Sequence, residues 1–136
     1  MKNELDKVLQ FHRTFRCYSN PRPVASIPEN ERVVRVRLMQ EELDEYTQAA
    51  EAGDLVGVAD ALSDLLYVVL GTYIAHGLQD AAEELFDEVQ RSNLSKLDRN
   101  GQPIYRVDGK VLKSELFSEP DLEPILERFT GEASAR

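Results

Sequence analysis

Apolar side chains recur at helical intervals at the start of the chain, and prolines then interrupt the pattern. Within residues 3–16 the intervals of three and four place these side chains on one stripe of an amphipathic helix. The stripe consists of Leu5, Val8, Leu9, His12 and Phe15. Residues 17–28 contain three prolines, each of which lacks an amide donor and restricts the residue before it. We therefore predict a helix followed by a loop.

Two longer helices joined by a short turn are predicted next. Ser26 and Glu29 match a capping box, which predicts that the second helix begins near residue 28. Gly53 readily adopts the left-handed conformation that ends helices, so this helix is expected to stop just before it. Asp54 is suited to cap a third helix over residues 55–75, which is apolar on nearly every side. A helix of that composition is expected to lie at the centre of the fold.

The remainder of the chain changes in character. Asp80 and Glu83 match a capping box for a fourth helix. The apolar residues assigned to this helix are Ala81, Leu85, Val89 and Leu97. Turn dipeptides on both sides of a β-compatible run at 104–107 predict a small hairpin or ordered loop. A short closing helix over 121–129 and a mobile tail over 130–136 complete the prediction of an all-α bundle of four to five helices, with one domain over residues 1–129.

Charge and cysteine content narrow the functional classes. The formal net charge is −9, which opposes binding to nucleic acid. The single cysteine, Cys17, excludes an internal disulfide and a thiolate zinc site, so a reducing cytoplasm is the expected location. The most apolar stretch, residues 62–78, contains Asp64 and is shorter than the ~20 residues that cross a bilayer. We expect neither a nucleic-acid nor a membrane partner.

Acidic residues continue the apolar stripe of the second helix. Counting by threes and fours from Val34 and Leu38 reaches Glu41, Glu42 and Glu45. Carboxylates in line with an apolar face are expected to point inward. The pattern therefore predicts that these three side chains face the neighbouring helix.

The third helix carries matching acids. Asp60 and Asp64 lie four residues apart among apolar neighbours, and an antiparallel pairing places Glu45 and Asp60 at one level, each about 12 Å from the turn. Crowded carboxylates repel one another, and a shared cation removes this cost. Oxygen ligands that leave room for water and phosphate suit Mg²⁺, with Mn²⁺ as its substitute. The alternative is a solvated acidic face, with the two aspartates paired to Arg35 or Arg37.

These acidic motifs resemble those of the all-α nucleoside triphosphate pyrophosphohydrolases, which include MazG-like proteins, dimeric dUTPases and phosphoribosyl-ATP pyrophosphohydrolase. The family motif is Glu-Glu-x-x-Glu on one helix, followed by Glu-x-x-Asp on the next. Its first half matches residues 41–45, and its aspartate matches Asp64. The motif glutamate is replaced by Ala61, and the acid lies one residue earlier as Asp60. Segments 59–69, 88–96 and 108–113 are similar to a phosphoribosyl-ATP-pyrophosphohydrolase-like branch, so the resemblance covers roughly residues 8–122.

The resemblance implies Mg²⁺-dependent cleavage of a nucleoside triphosphate, such as dUTP or dCTP, to the monophosphate and pyrophosphate. It implies that Glu42, Glu45, Asp60 and Asp64 bind the metal, and that Glu41 positions the attacking water or binds a second metal ion. Two other functions stay open. One is hydrolysis of phosphoribosyl-ATP, and the other is a non-catalytic helical regulator that binds metal or nucleotide.

The resemblance also suggests substrate contacts and an assembly. The candidates for sugar or phosphate contacts are Asn93, Lys96, Lys110 and Lys113. Capping and solvent exposure are the alternative for these residues. His12 and Phe11 are candidates for the base pocket, although a plain core role is expected for Phe11. A homodimer or homotetramer is expected, because the apolar third helix gains from burial against a second copy.

Overall fold

The computed structural model describes residues 1–131, and this part of the chain is helical without strands. The helices are α1 (Lys2–Phe15), α2 (Glu29–Glu51), α3 (Leu55–Ala75), α4 (Ala82–Leu94) and α5 (Glu123–Thr130). The predicted all-α class is confirmed. The chain divides into two compact units, Met1–Asp80 with α1 to α3 and Ala81–Arg136 with α4 and α5. The single domain over residues 1–129 stays a prediction.

In the first unit, α3 packs against both α1 and α2. Leu5 and Val8 of α1 and Leu70 and Ile74 of α3 are buried, so the core lies between the first helix and the second half of the third. By length and composition alone, α3 is also apolar enough to cross a membrane, with a mean hydropathy of 1.6 over its most apolar window. The core helix of a soluble protein has the same composition. Only 17% of that window is buried, so much of α3 is uncovered in this unit.

The turn between α2 and α3 follows the prediction. Gly53 has a φ of +66°, and the Asp54 carboxylate accepts a hydrogen bond of 3.1 Å from the Gly57 amide. A side chain at Gly57 would begin only 3.0 Å from the β-carbon of Ala49, so the two helices cross closely beside the turn. This short connection is what brings the acidic segments of α2 and α3 side by side.

Both predicted capping boxes are wrong. The N-cap of α2 is Pro28, which is extended, and that of α4 is Ala81; neither helix has a side-chain cap. Ser26 and Asp80 precede these caps, because both helices begin later than the boxes require.

The loop between α1 and α2 is hydrogen-bonded to the end of α3 within the first unit. The amide of Asn20 donates to the Ile74 carbonyl at 3.1 Å, and its side chain donates to the Ala75 carbonyl at 2.6 Å. The amide of Val24 donates to the His76 carbonyl at 2.9 Å. All three carbonyls lie in the last turn or at the C-cap of α3, where helical partners run out, although the Ile74 carbonyl also accepts from the Gly77 amide.

In the second unit, the segment before α5 is fastened to α4. The buried Ser92 hydroxyl donates to the Ser118 carbonyl at 2.8 Å, and the Glu88 carboxylate accepts from the Asp121 amide at 2.9 Å. Of the two predicted alternatives, a small hairpin or an ordered loop, the structure shows the loop. Its one β-type pairing is an isolated antiparallel bridge between Tyr105 and Val111.

Three smaller predictions for this unit need correction. Leu97 lies beyond α4, and Val89 is 39% exposed, so neither is a core residue of that helix. The tail predicted from residue 130 begins too early, because Thr130 is the last residue of α5 and Gly131 is its left-handed C-cap. The rest of that tail lies outside the described residues.

Candidate active site

Glu42 on α2 is the centre of the acidic site. Its side chain is half-buried, and its Oε2 atom is buried without a hydrogen-bond partner. Burial raises the pKa of Glu42, and neighbouring carboxylates raise it further. These neighbours are, in decreasing order of effect, Glu45, Asp64, Asp60 and Glu41. The structure therefore brings the acids of both helices around one partly desolvated carboxylate.

The other four carboxylates are exposed, so Glu41 and Glu45, which were expected to point inward, are not buried. Five like charges repel one another, and exposure to water lowers that repulsion. Glu41 lies 3.6 Å from the Arg37 guanidinium, an exposed pair one helical turn apart. Neither Asp60 nor Asp64 forms a salt bridge with an arginine among residues 1–131. The arginine-paired alternative therefore does not hold for the two aspartates.

The donor chemistry of this cluster fits a hard divalent cation. All five groups supply oxygen ligands, which hard divalent cations prefer. The Oε2 atom of Glu42 is buried without a hydrogen-bond partner, and a buried charged oxygen is costly unless it is paired. Within the described residues, no group of three or more His, Cys, Asp or Glu side chains is arranged to hold a metal ion. The metal-binding roles stay predictions.

An aromatic group lies one turn along α3 from Asp64. The ring of Tyr67 meets that of Phe11 edge to face, with centroids 5.7 Å apart, and Phe11 also stacks against Phe15 at 4.4 Å. The core role expected for Phe11 is wrong, because both Phe11 and Tyr67 are 39% exposed. Sequence reasoning missed Tyr67, although its spacing of three from Asp64 places it on the same side of α3.

His12 is buried rather than open to the aromatic group. Its exposure is 4%, and its Nδ1 atom lies 2.9 Å from the Tyr18 carbonyl, which identifies Nδ1 as the protonated nitrogen. Burial lowers the pKa of His12; the nearby Arg35 acts in the same direction, and the bond to Tyr18 opposes them. A β-carbon at Gly71 would meet both His12 and Arg35, so the bare glycine makes room where three helices meet.

The remaining candidates belong to the second unit. The Lys96 ammonium donates to the Asn93 side chain at 2.8 Å, so these two residues bind each other. Lys113 pairs with Glu119 at 3.1 Å and lies 4.3 Å above the ring of Phe117. Lys110 is exposed beside the single bridge. Their proposed contacts with substrate stay predictions.

A helical fold with acids on two adjacent helices is typical of all-α nucleotide pyrophosphohydrolases. The family model described as phosphoribosyl-ATP pyrophosphohydrolase matches residues 8–93, more than half of the chain. The chain therefore belongs to the phosphoribosyl-ATP pyrophosphohydrolase family. A comparison with curated proteins found no match. Family membership supports an enzyme that acts on a nucleotide pyrophosphate bond.

Proposed function

We propose that this protein hydrolyses the α–β phosphoanhydride of a nucleoside triphosphate with the help of a divalent cation, Mg²⁺ or in its place Mn²⁺. The carrying observation is the buried Oε2 atom of Glu42, which has no partner and lies among four further carboxylates. Five neighbouring carboxylates repel one another, so the cluster does not stabilise the fold by itself. Binding of a divalent cation that also binds the phosphate groups of the substrate explains why the carboxylates lie together.

Each carboxylate has a role in this proposal. Glu42, Glu45, Asp60 and Asp64 would hold the cation, which would neutralise negative charge on the phosphate oxygens. Glu41 is more exposed than Glu42 and accepts the proton of the attacking water. Attack of this water on the α-phosphorus forms a new P–O bond and breaks the bond between that phosphorus and the oxygen bridging to the β-phosphate. Pyrophosphate leaves with the electron pair of the broken bond. Arg37 holds Glu41 in place through their ion pair.

The nucleobase is proposed to stack on the exposed faces of Phe11 and Tyr67. Aromatic faces accept any base, so this contact supplies affinity without choosing among dUTP, dCTP and other triphosphates. The family match favours a second candidate substrate, phosphoribosyl-ATP, which carries the same triphosphate. Both substrates lose pyrophosphate by the same chemistry.

Product analysis by ³¹P NMR tests the proposal. The purified protein is incubated with Mg²⁺ and separately with dUTP, dCTP, the other common triphosphates and phosphoribosyl-ATP, each with and without chelator. We expect monophosphate and pyrophosphate as first products, and no turnover with chelator. Orthophosphate as the first product, or turnover that survives chelation, would contradict the mechanism. Inactivity on every compound would instead favour a non-catalytic regulator.

A further inference from the structure

A polar cavity lies in the first unit, away from the acidic centre. It has a volume of about 230 Å³, and its charged or reactive lining residues are His12, Arg16, Cys17, Glu31 and Arg35. Ala75 also lines it, eleven residues after Asp64 on α3, which is about 16 Å along a helix. The cavity is several times the ~30 Å³ that one water molecule occupies, so a phosphate group fits inside.

Arg35 is the unusual member of this lining. It is half-buried, and burial lowers the pKa of its guanidinium, with Cys17 and Glu31 opposing that shift. Yet it forms no hydrogen bond or salt bridge with any other described residue, and Glu31 lies outside ion-pair distance. A partly desolvated guanidinium normally finds an anionic partner, because its five donors suit carboxylate or phosphate oxygens.

The surroundings of Arg35 favour an anion rather than a cation. Arg16 adds a second positive charge, whereas Glu31 supplies the single negative charge of the lining, in a protein whose net charge is −9. His12 is held neutral by burial, so it contributes a polar wall without a third charge. Gly71 keeps space beside the Arg35 guanidinium, since a β-carbon there would come within 2.7 Å of Nη1.

We propose that this cavity is a phosphate-binding site in which Arg35 and Arg16 bind the phosphate oxygens. The ligand is either free phosphate or pyrophosphate, or the second phosphate of a doubly phosphorylated nucleotide whose triphosphate lies at the carboxylates. Only the last of these sources rests on the proposed function. Binding of the free anion is independent of it.

Cys17 provides a direct readout, because it is the single cysteine of the chain and lines the cavity. Its alkylation by neutral iodoacetamide is followed with chelator present, at constant ionic strength, with and without inorganic phosphate or pyrophosphate. Alkylation should slow about tenfold at about ten times Kd, because protection follows the unoccupied fraction. Arg35→Gln and Arg16→Gln should lose this protection. Arg32→Gln, an exposed α2 variant with the same loss of charge, should retain it.

Unchanged alkylation of the wild-type protein, or equal protection in both cavity variants, would overturn the proposal. Arg16 is exposed, so its variant keeps the test valid if Arg35→Gln misfolds. Kinetics then separate the sources. A higher KM for phosphoribosyl-ATP in Arg16→Gln, with an unchanged KM for a simple triphosphate, identifies the second substrate phosphate. Unchanged KM for both substrates, with Cys17 still protected by free anion in the wild type, identifies a free-anion site.

Discussion

Gly77 lies where the chain leaves α3, with a φ of +69° and the backbone of Arg22 against its α-carbon. A β-carbon there would overlap the Arg22 carbonyl. Gly77→Ala should therefore lower the free energy of unfolding by about 3 kcal/mol or more, since left-handed strain of about 1–2 kcal/mol adds to backbone displacement. Denaturant unfolding followed by circular dichroism measures this change.

Gly53 is the matched control for this substitution. Its φ is +66°, but nothing lies within 4 Å of the added β-carbon. Gly53→Ala should cost only the strain of about 1–2 kcal/mol. Equal losses in the two variants would show that contact with Arg22 is not what requires glycine.

Glu88 makes the second unit sensitive to acid. Hydrogen bonds from Arg91 and from the Asp121 amide lower the pKa of Glu88 to about 2 from its usual 4.5. A lowered folded-state pKa contributes stability that is present above pH 4.5 and is lost as the pH falls towards 2. Thermal melting midpoints of wild type and Glu88→Gln should differ at pH 7, and the difference should shrink through this window.

Glu127→Gln on α5 is the control, because the Glu127 side chain forms no hydrogen bond or ion pair with another described residue, and only its backbone carbonyl accepts a bond, from Thr130. A Glu88→Gln deficit that stays constant down to pH 2 would contradict the argument. A larger protection factor for the Asp121 amide at pH 7 than at pH 2.5, that is, a larger ratio of intrinsic to observed exchange rate, would support it.

At the scale of elements, α2 and α3 act together in the proposed hydrolysis, because each supplies carboxylates around Glu42. Glu42→Gln and Asp64→Asn should each reduce hydrolysis by on the order of 10²-fold or more, as removal of a group that stabilises transition-state charge does. Metal-free stability should hold steady or rise, because each change removes a repelling charge. Pyrophosphate release and denaturant unfolding measure the two effects.

Asp44→Asn is the matched control within α2. Asp44 is exposed and accepts a hydrogen bond from Gln40 at 2.8 Å, and it is not among the groups that shift Glu42. It should retain hydrolysis. Full activity in Glu42→Gln or Asp64→Asn would defeat the assignment of the centre.

At the scale of the whole molecule, the apolar stripes of α2 and α3 are left uncovered. Positions Leu55, Ala59, Leu62 and Leu66 follow helical intervals along α3, and all four are exposed. Val33 and Val36 on α2 are exposed too and line a shallow concavity of about 470 Å³. Exposed apolar stripes of this kind are typical of an interface.

We propose that a second copy covers these stripes, giving a homodimer or homotetramer. Light scattering at micromolar concentration should give at least twice the 15.4 kDa chain mass. Leu66→Glu should shift the mass towards the monomer, whereas Val107→Glu, in a fully exposed loop position of the second unit, should not. A wild-type monomer would reject the proposal, and a monomer that sediments with lipid vesicles would favour a membrane role for α3.

Local features were predictable from the sequence because their causes lie within a few residues. Gly53 and Asp54 end one helix and cap the next through a left-handed backbone and a bond across three residues. The capping boxes failed for the converse reason. Ser26 and Asp80 have suitable side chains, but α2 begins after Pro28 and α4 after Ala81, so neither side chain is at the N-cap position.

The sequence by itself determined which helices carry the acids, because periodicity assigns Glu42 and Asp64 to facing stripes before any packing is known. Only the tertiary structure decided that Glu42 is partly desolvated while its neighbours stay in water, since burial depends on how neighbouring helices cross. The tertiary structure also decided that His12 and Arg35 lie beside each other at Gly71. These residues are distant in sequence, and they meet because α1 and α2 both approach α3 at Gly71, where a missing side chain leaves the space.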